Sequence, residues 1–377
     1  MLVIVQDVPT QFDVPLYNKI AREGALPINI VYTHAASTDV EIGQSPRWDH
    51  IKEHAYPHRF LTESERRDAR EVVRAIMQDN PQHVVISGYW PKLHRDIMRQ
   101  LKAQNVSVGL RSDNTIQHSR LSGLRGVVKR QYLSRLLAKY DAWHPVGHQA
   151  ADYLAHVSSQ PRPVHLFPYN IDRDWFRHHA GQIRAEREAH LSQLGWPTDS
   201  YVVLGIMKWS AREDPITLIH AFERYQQLHA RARLVLVGDG PLRDKVKTEV
   251  QRLHKTVTTP GYVSYSGLPF WYGLADVFVH PAPGEPWGVS VSEALASGVP
   301  VIASTGVGAA QEQITPTMTG EIFAQCDVES LFQALQRWQS SAKAVDATEL
   351  RERCFSGLDS WCYEQTIQMF QRVLSHV

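Results

Sequence analysis

Residues 281–304 read PAPGEPWGVSVSEALASGVPVIAS and carry two glutamates, Glu285 and Glu293, with seven residues between them. The segment leaves an apolar run, crosses a Pro/Gly loop and enters a helix near Gly288 that Gly298 closes. A helix start there presents backbone N–H groups at Gly288 and Val289 that have no intrahelical partner. With the positive end of the peptide dipole, they suit a phosphate or diphosphate. Glycines in the loop carry no side chain and leave room for a ligand against the backbone. Glutamates near a helix start also serve simply as partners of the dipole, and the spacing alone does not separate the two roles.

A second set, Gly205-Ile206-Met207-Lys208-Trp209-Ser210-Ala211-Arg212-Glu213-Asp214-Pro215, runs from a strand end into a helix opening at Pro215. Lys208 and Arg212 can reach a diphosphate from this one loop, arginine offering a fork of donors and lysine a mobile point charge. Charges facing water near a helix start would read the same way. Gly238-Asp239-Gly240-Pro241 is good turn and helix-start chemistry, with Asp239 a loop organiser or cap. No metal-holding Asp-x-Asp is expected anywhere in the chain. No Gly-x-Gly-x-x-Gly follows the first strand, where Val5-Gln6-Asp7-Val8-Pro9 stands, and no Gly-x4-Gly-Lys-Ser/Thr occurs. A nicotinamide dehydrogenase or a P-loop nucleotidase therefore lacks its phosphate-binding feature.

These segments resemble family 4 glycosyltransferases, which are retaining and have the two-domain glycosyltransferase B fold. Glu285 and Glu293 match that family's Glu-x7-Glu signature, and Gly298-Val299-Pro300-Val301-Ile302 matches its Gly-x-Pro-Val-Ile strand. The resemblance implies that Glu285 approaches the hydroxyls of a donor sugar and that Glu293 holds the nucleotide ribose. It implies a diphosphate clamp at Lys208 and Arg212, with Glu213 standing where the family often has a cation. Gly238 falls in a loop the family shares, and Val263, in Gly261-Tyr262-Val263-Ser264, falls where backbone groups read the base. Gly308 corresponds to the second glycine of a Gly-Gly-x-x-Glu stretch, whose Glu312 serves as a helix stabiliser. The implied activity is transfer of a sugar from a UDP or GDP sugar to an acceptor hydroxyl with retention of configuration. No cofactor or metal is implied, cationic side chains taking the metal's place. The likeness is strong only in the second half of the chain.

Length, composition and patterning are compatible with this. A chain of 377 residues exceeds what one core usually holds, so two domains are expected. Short β-branched runs at 2–5, 28–32, 84–87, 106–110, 142–143 and 164–167 alternate with helix-length stretches such as 64–78. The same alternation repeats from strands at 201–205, 234–237, 277–280 and 299–303, with helices at 215–227, 242–253, 289–296 and 330–339. The fold class expected is α/β, two Rossmann-like domains facing across a cleft: 1–180 on the acceptor side and 181–359 for the sugar nucleotide. An amphipathic tail at 360–377 either crosses back to the first domain or ends the second. Formal net charge is +1, so anion binding must come from local charge. Cys326, Cys354 and Cys362 have no metal-ligand spacing, and their odd number argues against a disulfide framework, as in a reducing cytoplasm. The opening residues read as a first strand rather than a signal peptide, and no run of eighteen apolar residues occurs.

On the acceptor side the candidates are Asp13, with Phe12 and Tyr17 lining the cleft or packing the core, and the strand-exit group Arg111-Ser112-Asp113-Asn114. His118 and His144 join them. Between Asn114 and Tyr140 there is no acidic residue, while Arg120, Arg125, Lys129, Arg130, Arg135 and Lys139 stand among leucines and valines. This 120–139 stretch fits either an anionic membrane surface, for a lipid-linked or glycan acceptor, or a helix packed on the sheet with its charges in water. The corresponding location is the cytoplasm, peripheral at the inner membrane face. No nucleic-acid-binding module accompanies the patch. Two other functions use the same donor motifs: a nucleotide-sugar epimerase of similar fold, and a non-catalytic sugar-nucleotide or glycan-binding protein. A glycan phosphorylase would need a pyridoxal-phosphate lysine, for which no motif stands out.

Overall fold

The structure, a computed structural model, describes residues 1–36, 53–119 and 121–376. The described residues form two compact units, the first made of those before Asp172 together with 361–376, the second of Asp172–Ser360.

The first unit runs β1 (Leu2–Gln6), α1 (Asp13–Glu23), β2 (Ile28–Tyr32), β3 (His58–Phe60), α2 (Ala69–Gln78), β4 (His83–Ser87), α3 (Lys92–Ala103), β5 (Ser107–Ser112), α4 (Gly123–Leu137), β6 (Ala142–Pro145) and α5 (His148–Val157). The second runs α6 (Arg173–Ala185), α7 (Arg187–Gln193), β7 (Tyr201–Ile206), α8 (Pro215–Leu228), β8 (Ala232–Val237), α9 (Arg243–Gln251), β9 (Val257–Gly261), α10 (Leu268–Leu274), β10 (Val277–His280), α11 (Val289–Ala296), β11 (Val301–Ser304), α12 (Gly308–Gln313), β12 (Gly320–Phe323), α13 (Val328–Ala342) and α14 (Ala347–Ser356). A last helix, α15 (Tyr363–Ser375), packs Ile367, Phe370 and Val373 into the first unit's core beside Leu2, Ile4 and Phe167. Asn170 Nδ2 fastens it by donating to Thr366 Oγ1 at 2.7 Å and to the Cys362 carbonyl at 3.1 Å.

Each unit holds a six-stranded, wholly parallel sheet, ordered β3-β2-β1-β4-β5-β6 and β12-β11-β10-β7-β8-β9. Counted from its own first strand, each has the 3-2-1-4-5-6 order of doubly wound nucleotide-binding folds. Helices on both faces explain why central strands such as Leu2–Gln6 and Val277–His280 are buried at every position and read as apolar runs up to their last residue.

The sequence pattern missed β3, β9 and β12, all of them edge strands. An edge strand needs no unbroken apolar run, and HRF, VTTPG with its proline, and GEIF do not offer one. The strand expected at 164–167 is only a single bridge, Trp143 to Val164. The helix expected from residue 64 starts at Ala69, where the Asp68 side chain accepts from the Arg70 N–H and caps it. No helix among the described residues is long and apolar enough to cross a membrane.

Candidate functional site

The expected chemistry of the second unit lies at the carboxyl ends of its strands, where a doubly wound sheet leaves open loops. After β7 the chain makes a tight loop: the Ser210 N–H donates to the Lys208 carbonyl at 2.9 Å, and Glu213 and Asp214 donate back to the Ser210 carbonyl. Asp214, at φ 49°, then caps α8 through Thr217, with Pro215 in its first turn. The Glu213 side chain folds inward, 7 % exposed, and accepts the Lys208 backbone N–H at 2.7 Å. Arg212 Nη2 donates to Glu213 Oε1 at 3.0 Å.

After β10 the chain crosses residues 281–288 into α11. The Glu285 backbone is pinned on both sides, its N–H donating to the Gly306 carbonyl and its carbonyl accepting from Gly308, both at 3.0 Å. Gly288 sits at φ 93° ahead of Val289, and no side chain caps the helix. A Cβ there would meet Val307 Cγ1 at 2.8 Å, so only glycine fits both the angle and the space. The helix start is thus left to its backbone N–H groups.

Arg212 joins the two loops: its Nη1 lies 3.3 Å from Glu285 Oε2. Lys208, Arg212, Glu213, Glu285 and the start of α11 therefore form one charged cluster. Burial, reinforced by the neighbouring Glu285 charge, pushes the Glu213 carboxyl up to about 7. His280 ends β10 under the same loop, 3 % exposed, with neither ring nitrogen hydrogen-bonded among the described residues. A Cβ on Gly288 would stand 3.4 Å from its Nε2, and burial followed by the nearby Arg212 charge lowers its pKa to about 4. Sequence reading missed His280; its place at a strand end one residue before the Pro/Gly loop was the available signal.

Glu293 lies inside α11, 4 % exposed, where its Oε2 accepts from Tyr272 OH at 3.0 Å, and burial raises its pKa to about 7. Gly238, at φ 144°, lies so close to the Met207 carbonyl that a Cβ would stand 1.8 Å from it, which ties the loop after β8 to that after β7. Asp239 accepts the Gly240 N–H at 2.8 Å and pairs with Arg243, organising its own loop. Half-buried Val263 follows β9 and packs on Gly267. The expectation of no Asp-x-Asp is corrected: Asp172-Arg173-Asp174 is one, and Asp172 there caps α6 by accepting the Trp175 N–H at 3.0 Å. Among the described residues no three His, Cys, Asp or Glu side chains come together as metal ligands.

The first unit gathers only part of the expected acceptor set. A cavity of about 250 Å3 opens at the carboxyl ends of β1, β4 and β5 and is lined by Asp13, Arg111 and Asp113 among others. Arg111 is 3 % exposed, and its three nitrogens donate to Asp13 Oδ1 at 2.8 Å and to the carbonyls of Phe167 and Pro168 at 3.1 and 3.0 Å. It is a strut rather than the acceptor contact expected, because its donors are engaged by the protein. His118 lies outside that lining, its Nδ1 2.5 Å from Thr115 Oγ1. The expectation for His144 is corrected: fully buried in β6, its Nε2 lies 2.9 Å from His83 Nε2 with His165 and Phe370 alongside, inside the core. In the basic stretch Arg120 lies outside the described residues. On α4, Leu133, Leu136 and Leu137 are buried, whereas Leu124, Val127, Val128 and Tyr132 stand exposed among the cations.

Residues 186–354 match the family described as glycosyl transferases group 1. Among curated proteins, a GDP-mannose-dependent alpha-mannosyltransferase of Mycolicibacterium smegmatis is 34 % identical over 142 residues, covering 37 % of this chain and 35 % of that one. An alpha-monoglucosyldiacylglycerol synthase of Acholeplasma laidlawii is 27 % identical, over 30 % of this chain and 29 % of its own. The chain thus spans about a third of the length of the curated relatives it matches. Among solved structures, Anabaena Alr3699/HepE in complex with UDP superposes with a TM-score of 0.77 at 13 % identity, covering 100 % of both chains. A glycosyltransferase from Rickettsia africae also reaches 0.77, at 14 % identity over 100 % of this chain and 98 % of its own. The chain has the glycosyltransferase B fold, and its second unit is related to the group 1 glycosyl transferases.

Proposed function

We propose that this protein is a retaining, metal-independent glycosyltransferase of family 4 type that moves a sugar from a UDP or GDP sugar to an acceptor hydroxyl. One observation carries the reading. Arg212 links the Glu285 loop to the Lys208 loop beside the glycine-led start of α11, a gathering of cations and backbone N–H groups that supports a diphosphate site. As the glycosidic bond stretches, Lys208, Arg212 and the N–H groups at Gly288 and Val289 stabilise the leaving diphosphate, which is preorganised electrostatic catalysis. Glu285 orients the sugar and offsets the positive charge growing at its anomeric carbon. Glu293 takes the ribose, with Gly238 and Val263 on the nucleotide side. UDP in one solved relative and GDP-mannose in a curated relative's name support a nucleoside diphosphate donor. We assign the acceptor, a glycan or lipid-linked hydroxyl, to the first unit, working in the cytoplasm with α4 against the inner membrane face.

A screen of UDP and GDP sugars for slow hydrolysis, read by NMR, tests this without an acceptor. At least one should release free sugar of unchanged anomeric configuration. Glu285→Gln should abolish that release while nucleotide still binds, and Lys208→Ala should weaken nucleotide binding. Release of an altered sugar nucleotide would instead mean an epimerase. Glu213, an acid where the family often has a cation, favours a second reading, a non-catalytic sugar-nucleotide-binding protein. Binding without turnover for every donor and acceptor offered would establish that reading in place of the first.

A further inference from the structure

We infer that the cavity in the first unit binds an uncharged sugar and rejects phosphorylated ones. The inference deepens the proposed function by giving the chemical class of the acceptor group that this cavity recognises.

At about 250 Å3 the cavity is below the roughly 300–1,000 Å3 of pockets for drug-sized ligands, a size for one ring rather than a chain. Three carboxylates line it; Asp13 is paired with Arg111, while Asp7 and Asp113 retain accepting capacity. The Asp7 side chain is 60 % exposed and accepts from Thr33 Oγ1 at 3.1 Å, while Asp113 Oδ2 accepts from Tyr169 OH at 3.2 Å. A carboxylate accepts from sugar hydroxyls, and its two oxygens match a vicinal pair of them. Phe12 and Tyr169 stand beside each other, ring centroids 4.4 Å apart, and both line the same cavity. Their apolar faces suit the C–H face of a pyranose.

An anion finds no grip here. The cation in the described lining, Arg111, is engaged by Asp13 and two backbone carbonyls. His94, 3.4 Å from Asp7, is held toward its neutral form by burial. The adjoining helix start is closed as well. The Asp13 N–H donates to Thr10 Oγ1 at 3.1 Å, the Val14 N–H to the Thr10 carbonyl at 3.2 Å, and Pro15 has no N–H. In the first turn of α1 the N–H groups of Asp13 and Val14 are thus taken and Pro15 offers none, which leaves a phosphate few backbone donors there. A phosphate would meet Asp7 and Asp113 without compensation.

Saturation-transfer NMR on the full chain tests this, with the methyl pyranosides of glucose, mannose and galactose as probes beside glucose 6-phosphate and mannose 6-phosphate. UDP and GDP titrated into the same sample report on the second unit separately. At least one methyl glycoside should bind, both sugar 6-phosphates should bind about tenfold more weakly or not at all, and Asp113→Asn or Phe12→Ala should cost about tenfold. Asp7→Asn, at an exposed position, provides a second variant if either of those misfolds. Binding of no methyl glycoside, binding of the phosphates as tightly, or indifference to all three substitutions would each overturn the inference. Nucleotide binding without glycoside binding would remove this site and leave the donor reading intact; the reverse would remove the donor reading alone.

Discussion

Arg212 stands between two carboxylates from different loops, Nη2 3.0 Å from Glu213 Oε1 and Nη1 3.3 Å from Glu285 Oε2. In a clamp for a diphosphate, the guanidinium would have to exchange at least one of these acids for phosphate oxygens. Glu213 is the competitor that stays fixed, buried and bonded to the Lys208 N–H.

Replacing that competitor should strengthen nucleotide binding. Glu213→Gln keeps an acceptor for the Lys208 N–H and removes the charge. UDP or GDP affinity at pH 8 should rise several-fold, an effect on the order of 1 kcal/mol. The pH profile fixes the sign. With its carboxyl near pH 7, wild-type Glu213 is mostly protonated at pH 6 and mostly charged at pH 8, so wild-type affinity should fall as pH rises through 7. The variant should show a flatter profile. Calorimetric titrations at pH 6, 7 and 8 decide it; coincident profiles for the two proteins would show that Glu213 does not compete.

The start of α11 depends on a single backbone conformation. Gly288→Ala places a Cβ 2.8 Å from Val307 Cγ1 at φ 93°, a strain of about 1–3 kcal/mol. Its melting temperature should drop and nucleotide affinity should fall at least about tenfold, because the turn aims the N–H groups. Gly298→Ala, also at positive φ but facing Arg351 and Phe355, is the control and should lose stability alone. Equal loss of nucleotide binding in both would show that the Gly288 effect is only partial unfolding.

The central strands were legible because strands buried on both faces must be continuously apolar, and the two glutamates because their spacing is local. Long-range hydrogen bonding was not legible. Arg111 looks in sequence like an exposed cation at a strand exit; only the return of residues 167–168 to its side shows where its donors go. His144 likewise reads as a polar strand-end residue until His83, sixty-one positions earlier, is placed against it. Glu213 was visible as an acid beside the expected clamp, but its burial and its bond to Lys208 depend on how the loop after β7 closes. Elements and turns set by neighbouring residues were readable, and contacts set by partners across the sheet were not.

On α4 the apolar side chains divide between two fates. Leu133, Leu136 and Leu137 are buried, whereas Leu124 is 89 % and Val128 67 % exposed, with Arg125, Lys129 and Arg130 interleaved. Lys129 Nζ lies 5.6 Å above the ring of exposed Trp90, extending the patch. If α4 lies on an anionic bilayer, the protein should co-sediment with phosphatidylglycerol vesicles more than with phosphatidylcholine ones, and salt should weaken the binding. Leu124→Glu combined with Lys129→Glu should lose that binding without altering the melting temperature. Equal sedimentation with both lipids would exclude this surface as an anionic-membrane contact.

The core of the first unit should be acid-sensitive through His83 and His144. Their Nε2 atoms lie 2.9 Å apart, so one ring must donate and the other accept, which holds only while the accepting nitrogen is unprotonated. Burial pushes His83 down to about 4 and His144 well below its ordinary value, the Asp141 charge opposing the shift at His83 and the neighbouring His165 adding to it at both. In the unfolded chain each histidine titrates near 6.5. Above that value neither state binds a proton at these rings, and the stability they leave is complete. As pH falls from 6.5 toward 4, the unfolded chain takes up protons that the folded one refuses. Stability then falls by about 1.4 kcal/mol per pH unit for each such histidine. Glu213 and Glu293, raised to about 7 in the second unit, act in the opposite sense between about 4.5 and 7, so a whole-chain melting curve would blur the effect. Hydrogen exchange over β4, β5 and β6, corrected for intrinsic rates, isolates it. Protection there should drop between pH 7 and pH 5 in the wild type and drop less in His83→Gln, whose amide keeps a donor toward His144 and does not titrate. Equal losses of protection in the two proteins would mean that the acid sensitivity lies elsewhere.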